Sequence, residues 1–491
     1  MTAMRTITAI LGIALLGTAC EGFLDVEPQD EISREEALDN IENVRIAMIG
    51  AYSALANSNY YRRNFPLYPE TVGHIQPSPN ASDLEDFLSG GLTNTAVNTY
   101  VEANYRTFNA NYENSQLGAF YEVGYGLLRR ANDLIEAIPR LERGSPEELN
   151  SLLGEALALR AIGHFDLLRL FAQPPNFTPD ASHPGIVLLD RPLSVFESPG
   201  RSTVAACYAL IVSDLEQAIE LIGPDARRTN ERIWLSPQLA SGLLARVEAY
   251  RGNWERVVEL ASPVIEDPAY GLIDTENYLD AWLSRDLFPE AIMAVDFQQG
   301  SAEGINSYAA VIGAAVEEEE LDDEPVCRIS NDLLALFAEE DIRLGLFEGN
   351  GAGDTLSLKY PLERDVVTDF PLLRLAELDL LRAEAYANIG QEAAARADYD
   401  IVHQRALPGA EPTVLSGQAL LDEIFAERRR ELHLEGHLLF DLARTGRDID
   451  RDFCLPANPN CLLAYPDFRY ILPIPLEALE ANPNLTQNEG Y

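Results

Sequence analysis

Residues 423–447 read EIFAERRRELHLEGHLLFDLARTGR, and the placement of their charges sets the terms for the rest of the chain. At about 100° per residue, Leu421, Ile424, Phe425, Leu432, Leu439 and Leu442 share one side of a helix. Arg428 and Glu435 fall inside that apolar stripe, and Glu431 lies at its edge. A charge on a buried face is costly unless it is paired. The spacing therefore predicts Arg428 beside Glu431 and Glu435, one turn and two turns along, in a partly buried network. Such a network would lock the helix into an all-α core. A catalytic carboxylate pair is the other use of the same residues.

The stretch also resembles the C-terminal signature of the SusD/RagB family of surface lipoproteins. The resemblance rests on Glu427-Arg428, Glu431-Leu432, Glu435-Gly436-His437, Asp441-Leu442 and Arg444-Thr445-Gly446. It continues in Leu472-Pro473-Ile474-Pro475 and in the segment 482–491, NPNLTQNEGY. Near the other end, GFLDVEPQDEIS at 22–33 is similar to the lead that follows the lipid-bearing Cys in SusD-like proteins.

Composition limits the function classes. The chain has 491 residues, of which 47% are hydrophobic, enough for a substantial core. Its 79 acidic against 36 basic residues give a formal charge of −43. Nucleic-acid binding depends on neutralising phosphates, so this balance excludes it. Lys359 is the sole lysine. A dispersed acidic surface suits high salt, where self-repulsion is screened.

Residues 1–19 read as a signal peptide: Arg5, an apolar run at 7–16 too short to span a bilayer, then small residues before Cys20. The pattern looks like a bacterial lipobox with Cys20 as the lipidated residue, although Gly17 stands where an apolar residue is usual. Translation from Met4 would leave a cleaner signal. Residues 20–32 form an extended tether, and acyl chains on Cys20 would anchor the protein to a membrane that nothing else in the sequence spans. Cys454 and Cys461 flank the loop LPANPN and are a reasonable disulfide pair in an exported protein. The cysteines lack zinc-site spacing.

The remaining chain divides into 33–225 and 226–491, expected to fold as one unit. Ser33 and Glu36 form a capping box for a helix through about Ala56. Residues 57–116 lose helical periodicity. Helices are predicted over 117–138, from the Ser145-Pro146-Glu147-Glu148 signal to about Phe171, and over 203–222. Helix pairs follow, 236–250 with a partner from Trp254, and 371–388 with a partner turning at Gly390. Tyr386, Gly390, Ala395 and Tyr399 stand at tetratricopeptide spacing, and such pairs bury a core by stacking. Residues 291–297 have strand character, and the acidic run 317–324 lacks EF-hand order.

HLEGH (433–437) shares two histidines with the zinc-protease motif, but its Glu is third where the base must be second. No nucleophile elbow, phosphate loop or dinucleotide fingerprint occurs. The expectation is a protein without a catalytic site, metal or cofactor.

The resemblance implies an all-α dominated fold: tetratricopeptide-like helix pairs forming a superhelical core with an irregular, loop-rich second lobe. It implies an outer-membrane lipoprotein that sits over a SusC-like TonB-dependent transporter and captures oligosaccharides, or in some members peptides, for import. The binding face is then expected in loops 57–112 and 296–324. There Asn80, Asp83, Asn98, Tyr100, Tyr105 and Tyr308 supply rings for stacking and polar groups for hydroxyls. None of Trp234, Trp254 and Trp282 falls in these loops, which keeps peptide cargo open. A helical-repeat adaptor with no small ligand, or a secreted carbohydrate-active enzyme, are the competing readings.

Overall fold

The computed structural model describes residues 37–77, 115–194, 196–223, 232–284, 290–297, 308–315, 327–349, 353–362, 369–451 and 461–491. Helix α1 (Ile41–Leu55) starts where the Asn40 side chain accepts the Asn43 N–H. The capping box expected at Ser33 and Glu36 lies outside the described residues.

Residues 57–77, expected to open the irregular lobe, are buried from Tyr60 to Gln76 and there belong to the core instead. They hold a short helix α2 (Asn64–Glu70) and strand β1 (Ile75–Pro77). Tyr60, Tyr61, Phe65, Leu67, Tyr68, Val72 and Ile75 are all buried. The Phe65 ring meets Tyr60, Phe120 and Phe440 at centroid distances of 5.4, 6.5 and 5.8 Å. Both Tyr60 and Tyr61 donate their hydroxyls to the buried Asp166. An Asn- and Tyr-rich run lacks the helical period because its aromatics pack from several directions, with the polar tips bonded inside.

Helices α3 (Ser115–Ala137), α4 (Pro146–Phe171) and α5 (Val204–Leu221) follow the sequence expectation closely. Ser145 Oγ accepts the Glu148 N–H at 3.1 Å, and Pro146 occupies the first turn where a missing N–H costs nothing. α4 is buried nearly all round and forms the spine of this half. Arg160 on α4 grips Asp214 of α5 at 2.8 and 2.7 Å and Asn132 of α3 at 2.8 Å.

The two helix pairs are present. α6 (Pro237–Tyr250) turns at Gly252, φ +71°, into α7 (Trp254–Ile265). After a short α8 (Tyr278–Leu283), the second pair is α9 (Leu375–Asn388) and α10 (Glu392–Ala406), turning at Gly390, φ +77°. The pairs are bolted together by Arg246 on α6, which holds Glu377 of α9 at 2.7 and 2.6 Å.

The helix expected from Pro371 begins only at Leu375. Residues 370–374 are strand β7 (Phe370–Arg374), antiparallel to β2 (Ala291–Val295), the strand expected at 291–297. Every residue of FPLLR is buried, and a continuous apolar run has no period to separate strand from helix. β1 pairs with β4 (Cys327–Ile329). β6 (Thr355–Leu362) lies between β5 (Phe347–Gly349) and β3 (Gly313–Ala315). One apolar core contains Val44, Leu159, Val257, Met293 and Ile474, so residues from both halves of the chain share it.

Candidate functional site

The signature stretch is not one helix. α11 (Gly417–Glu431) ends at Glu431, and α12 (Leu438–Thr445) begins after a tight turn. Leu434 and Gly436 take left-handed φ values of +63° and +78°. A Cβ at Gly436 would lie 2.9 Å from Pro66 Cα, so only glycine lets the turn press against α2. The turn is capped from outside: Glu70 of α2, wholly buried, accepts the Leu434 N–H at 3.1 Å and the His437 N–H at 2.9 Å. His74 Nδ1 bonds the same carboxylate at 2.6 Å.

The break redirects the charges. Arg428, Glu431 and Glu435 are all buried, but Arg428 does not reach the two glutamates. It bonds Asp441 of α12 at 3.0 and 3.3 Å, because α12 folds back beside α11. Asp441 in turn holds Arg444 at 2.7 Å, and Arg444 clasps Glu384 of α9 through two bonds of 2.7 Å.

Glu431 and Glu435 take their partners from distant segments. Glu431 receives Arg374 at 2.7 Å, Arg405 of α10 at 2.6 Å and Arg343 at 3.0 Å. Glu435 receives Lys359 of β6 at 2.6 Å and Arg374 at 2.8 and 2.7 Å. The lone lysine is wholly buried, lies 4.5 Å from the Trp282 ring, and also donates to the Glu431 and His433 carbonyls. Arg343 continues the lattice to Asp341 at 2.7 Å and Glu427 at 2.6 Å.

Electrostatics fix these groups in charged form. Burial alone would raise Glu431, but Arg405, Arg374 and Arg343 hold it well below the usual carboxylate range. Glu435 is lowered in the same way by Arg374 and Lys359 against its burial. Burial pulls Lys359 down to about 8, with Glu435 opposing. His433 is lowered by burial and by Lys359, so it is neutral and donates Nδ1–H to the Arg430 carbonyl at 2.6 Å. His437 is also lowered by burial. Carboxylates this saturated and this far from solvent neither accept a substrate proton nor take a metal, and no metal-binding cluster occurs among the described residues. The lattice is architectural.

The closing motif does comparable work. The Leu472 N–H donates to the Leu170 carbonyl of α4 at 2.7 Å. Gln487 brackets Ile474, accepting its N–H at 2.7 Å and donating to its carbonyl at 2.8 Å. Asn488 Nδ2 bridges the Phe171 and Leu472 carbonyls at 2.9 and 2.7 Å. Side-chain amides here replace the ladder a strand would supply.

Of the residues expected to meet a ligand, Asn80, Asp83, Asn98, Tyr100 and Tyr105 lie outside the described residues, as does the acidic run 317–324. Tyr308 is described and is no sugar platform: it is 4% exposed and its ring packs 5.1 Å from Tyr360. Trp282 is core, and Trp234 packs edge-on against Tyr52 at 4.8 Å. Cys20 and Cys454 lie outside the described residues; Cys461 is disulfide-bonded, and Cys207 and Cys327 are free and buried. A feature the sequence reading missed is an open cavity of about 540 Å³ between α1 and α3, lined by Arg129 and Arg130. An arginine doublet in so acidic a chain was its available signal.

Stacked helix pairs with small two- and three-stranded sheets, held together by buried ion pairs, define a helix-dominated class of fold. The chain belongs to the SusD/RagB family. Residues 367–491 match the SusD family model, and residues 22–248 match the model described as starch-binding associating with outer membrane. A SusD-like protein of Formosa agariphila is 24% identical, covering 99% of this chain and 98% of that one. The starch-binding protein SusD of Bacteroides thetaiotaomicron is 33% identical over 126 residues, 25% of this chain and 22% of its own. A SusD superfamily crystal structure from Bacteroides vulgatus, 26% identical, superposes with a TM-score of 0.78 over 92% of this chain and 99% of that one. Another from Bacteroides thetaiotaomicron, 24% identical, covers 91% and 99% with a TM-score of 0.79.

Proposed function

We propose that the protein is a non-enzymatic, surface-exposed lipoprotein that captures oligosaccharides at the outer membrane for import by a SusC-like TonB-dependent transporter. The observation that carries this reading is the match of residues 22–248 to the family model described as starch-binding associating with outer membrane. It is supported by relatives aligned over nearly the full chain, among them the SusD-like protein of Formosa agariphila. Cys20 is the proposed lipid attachment point, behind a signal peptide at 1–19. The disulfide at Cys461 suits an exported protein, with Cys454 its proposed partner. The ligand residues proposed from sequence, other than Tyr308, are Asn80, Asp83, Asn98, Tyr100 and Tyr105.

Peptide cargo is the second reading, favoured by the engagement of Trp234 and Trp282 in packing. The assembly is tested by solubilising native outer membranes in mild detergent and isolating the protein. A TonB-dependent barrel should co-purify in fixed proportion, and Cys20→Ala should leave the protein unanchored. Recovery of the protein alone, or of soluble scaffolding partners in place of a barrel, would favour the adaptor reading.

A further inference from the structure

Most described arginines of this chain are committed to carboxylates or carbonyls, in its interior or on its surface. Arg129 and Arg130 are not. Both are exposed on α3, and neither forms an ion pair among the described residues. They line the cavity of about 540 Å³ together with Ser53, Asn57, Glu122 and Tyr125. The Arg130 guanidinium lies back along α3 beside Gly126, its Nη1 3.4 Å from where a Cβ would stand. Asn57 Oδ1 takes the Asn59 N–H at 2.8 Å, which leaves its amide N–H groups uncommitted. The cavity thus carries two cations against one carboxylate, on a molecule whose formal charge is −43.

Unpaired arginines on a helix surface contribute little to stability, so their placement in a cavity asks for a ligand reason. Guanidinium groups match the planar or tetrahedral oxygens of carboxylates and sulfates, which they bind through paired, charge-assisted hydrogen bonds. The neighbouring Asn57 amide and the apolar wall at Ala54 and Val123 suit a polyhydroxylated ring. The overall negative charge repels an acidic glycan, so capturing one requires cations at the point of contact. We propose that this cavity binds the carboxylate or sulfate group of an acidic oligosaccharide. The protein then prefers acidic over neutral glycans, an inference that rests on the saccharide-capture reading above.

Calorimetric titration of the purified protein at fixed ionic strength tests it. The probes are an oligogalacturonate and its methyl ester, a sulfated oligosaccharide and its desulfated form, and inorganic sulfate as competitor. At least one charged probe should bind about tenfold tighter than its neutral counterpart. Replacing Arg129→Gln and Arg130→Gln together should remove that preference without lowering the melting temperature. Inorganic sulfate should compete with the charged probe and not with the neutral one. Equal binding of charged and neutral probes, or a preference that survives the double substitution, overturns the proposal and leaves saccharide capture standing. Failure to bind any saccharide overturns both.

Discussion

Glu431 is the residue on which most of the architecture converges, since Arg343, Arg374 and Arg405 reach it from three separate segments. Removing one member of a buried charge group strands the others in a medium that cannot solvate them. Glu431→Gln keeps the shape and deletes the charge, and should destabilise the protein by about 3–5 kcal/mol. Urea unfolding checks this; a loss below about 1 kcal/mol would mean the arginines find solvent or other partners. Acid should undo the same design. Glu377 is disfavoured by burial, yet Arg246 and His437 pull it from the ordinary 4.5 to about 2. Its folded value lies below its unfolded one, so its contribution is complete above pH 4.5 and is lost as pH falls through about 2. Glu431 and Asp441 are shifted in the same direction. Circular dichroism should therefore show stability falling steeply between pH 4.5 and 2. A flat profile across that window would contradict the ion-pair account.

The informative element is the turn between α11 and α12. Gly436 there combines φ +78° with a position where a Cβ would lie 2.9 Å from Pro66 Cα. Gly436→Ala meets both penalties at once and should cost on the order of 2 kcal/mol or more, read as a lowered melting temperature. An unchanged melting temperature would show that α2 can move aside. This turn also shows where sequence reasoning stops. The helical period of 423–447 correctly placed Arg428, Glu431 and Glu435 in the interior, but it carried straight through the break and so paired Arg428 with the wrong carboxylates. Periodicity reports a face; it does not report a cap delivered by Glu70, far away in the chain. The cations were hidden for the same reason, apart from Lys359, whose position in the apolar strand LSLKYPL was a usable sign. Helices with their own caps, such as α4 behind Ser145 and Pro146, were legible almost to the residue.

Across the whole molecule, a charge of −43 coexists with an interior full of ion pairs. Salt screens the exposed charges within about 10 Å at 0.1 M and touches the buried lattice much less. Raising sodium chloride from low to molar concentration should therefore increase the melting temperature by a few degrees, whereas a decrease would mean that exposed ion pairs dominate. The C-terminal signature disclosed the class of protein because it is scaffold: the closing motif bonds α4 through Leu472 and Asn488, and Gln487 braces Ile474 beside them. Scaffold motifs do not name a cargo, which is why the ligand residues were the least legible part and why Tyr308 proved to be core. The central claim is capture without chemistry. Its most direct test is titration of the protein against a panel of oligosaccharides and oligopeptides, with product analysis on the same samples. The account predicts saturable binding to one class of oligosaccharide and no new reducing ends; cleavage of the bound glycan, or silence towards every saccharide, would contradict it.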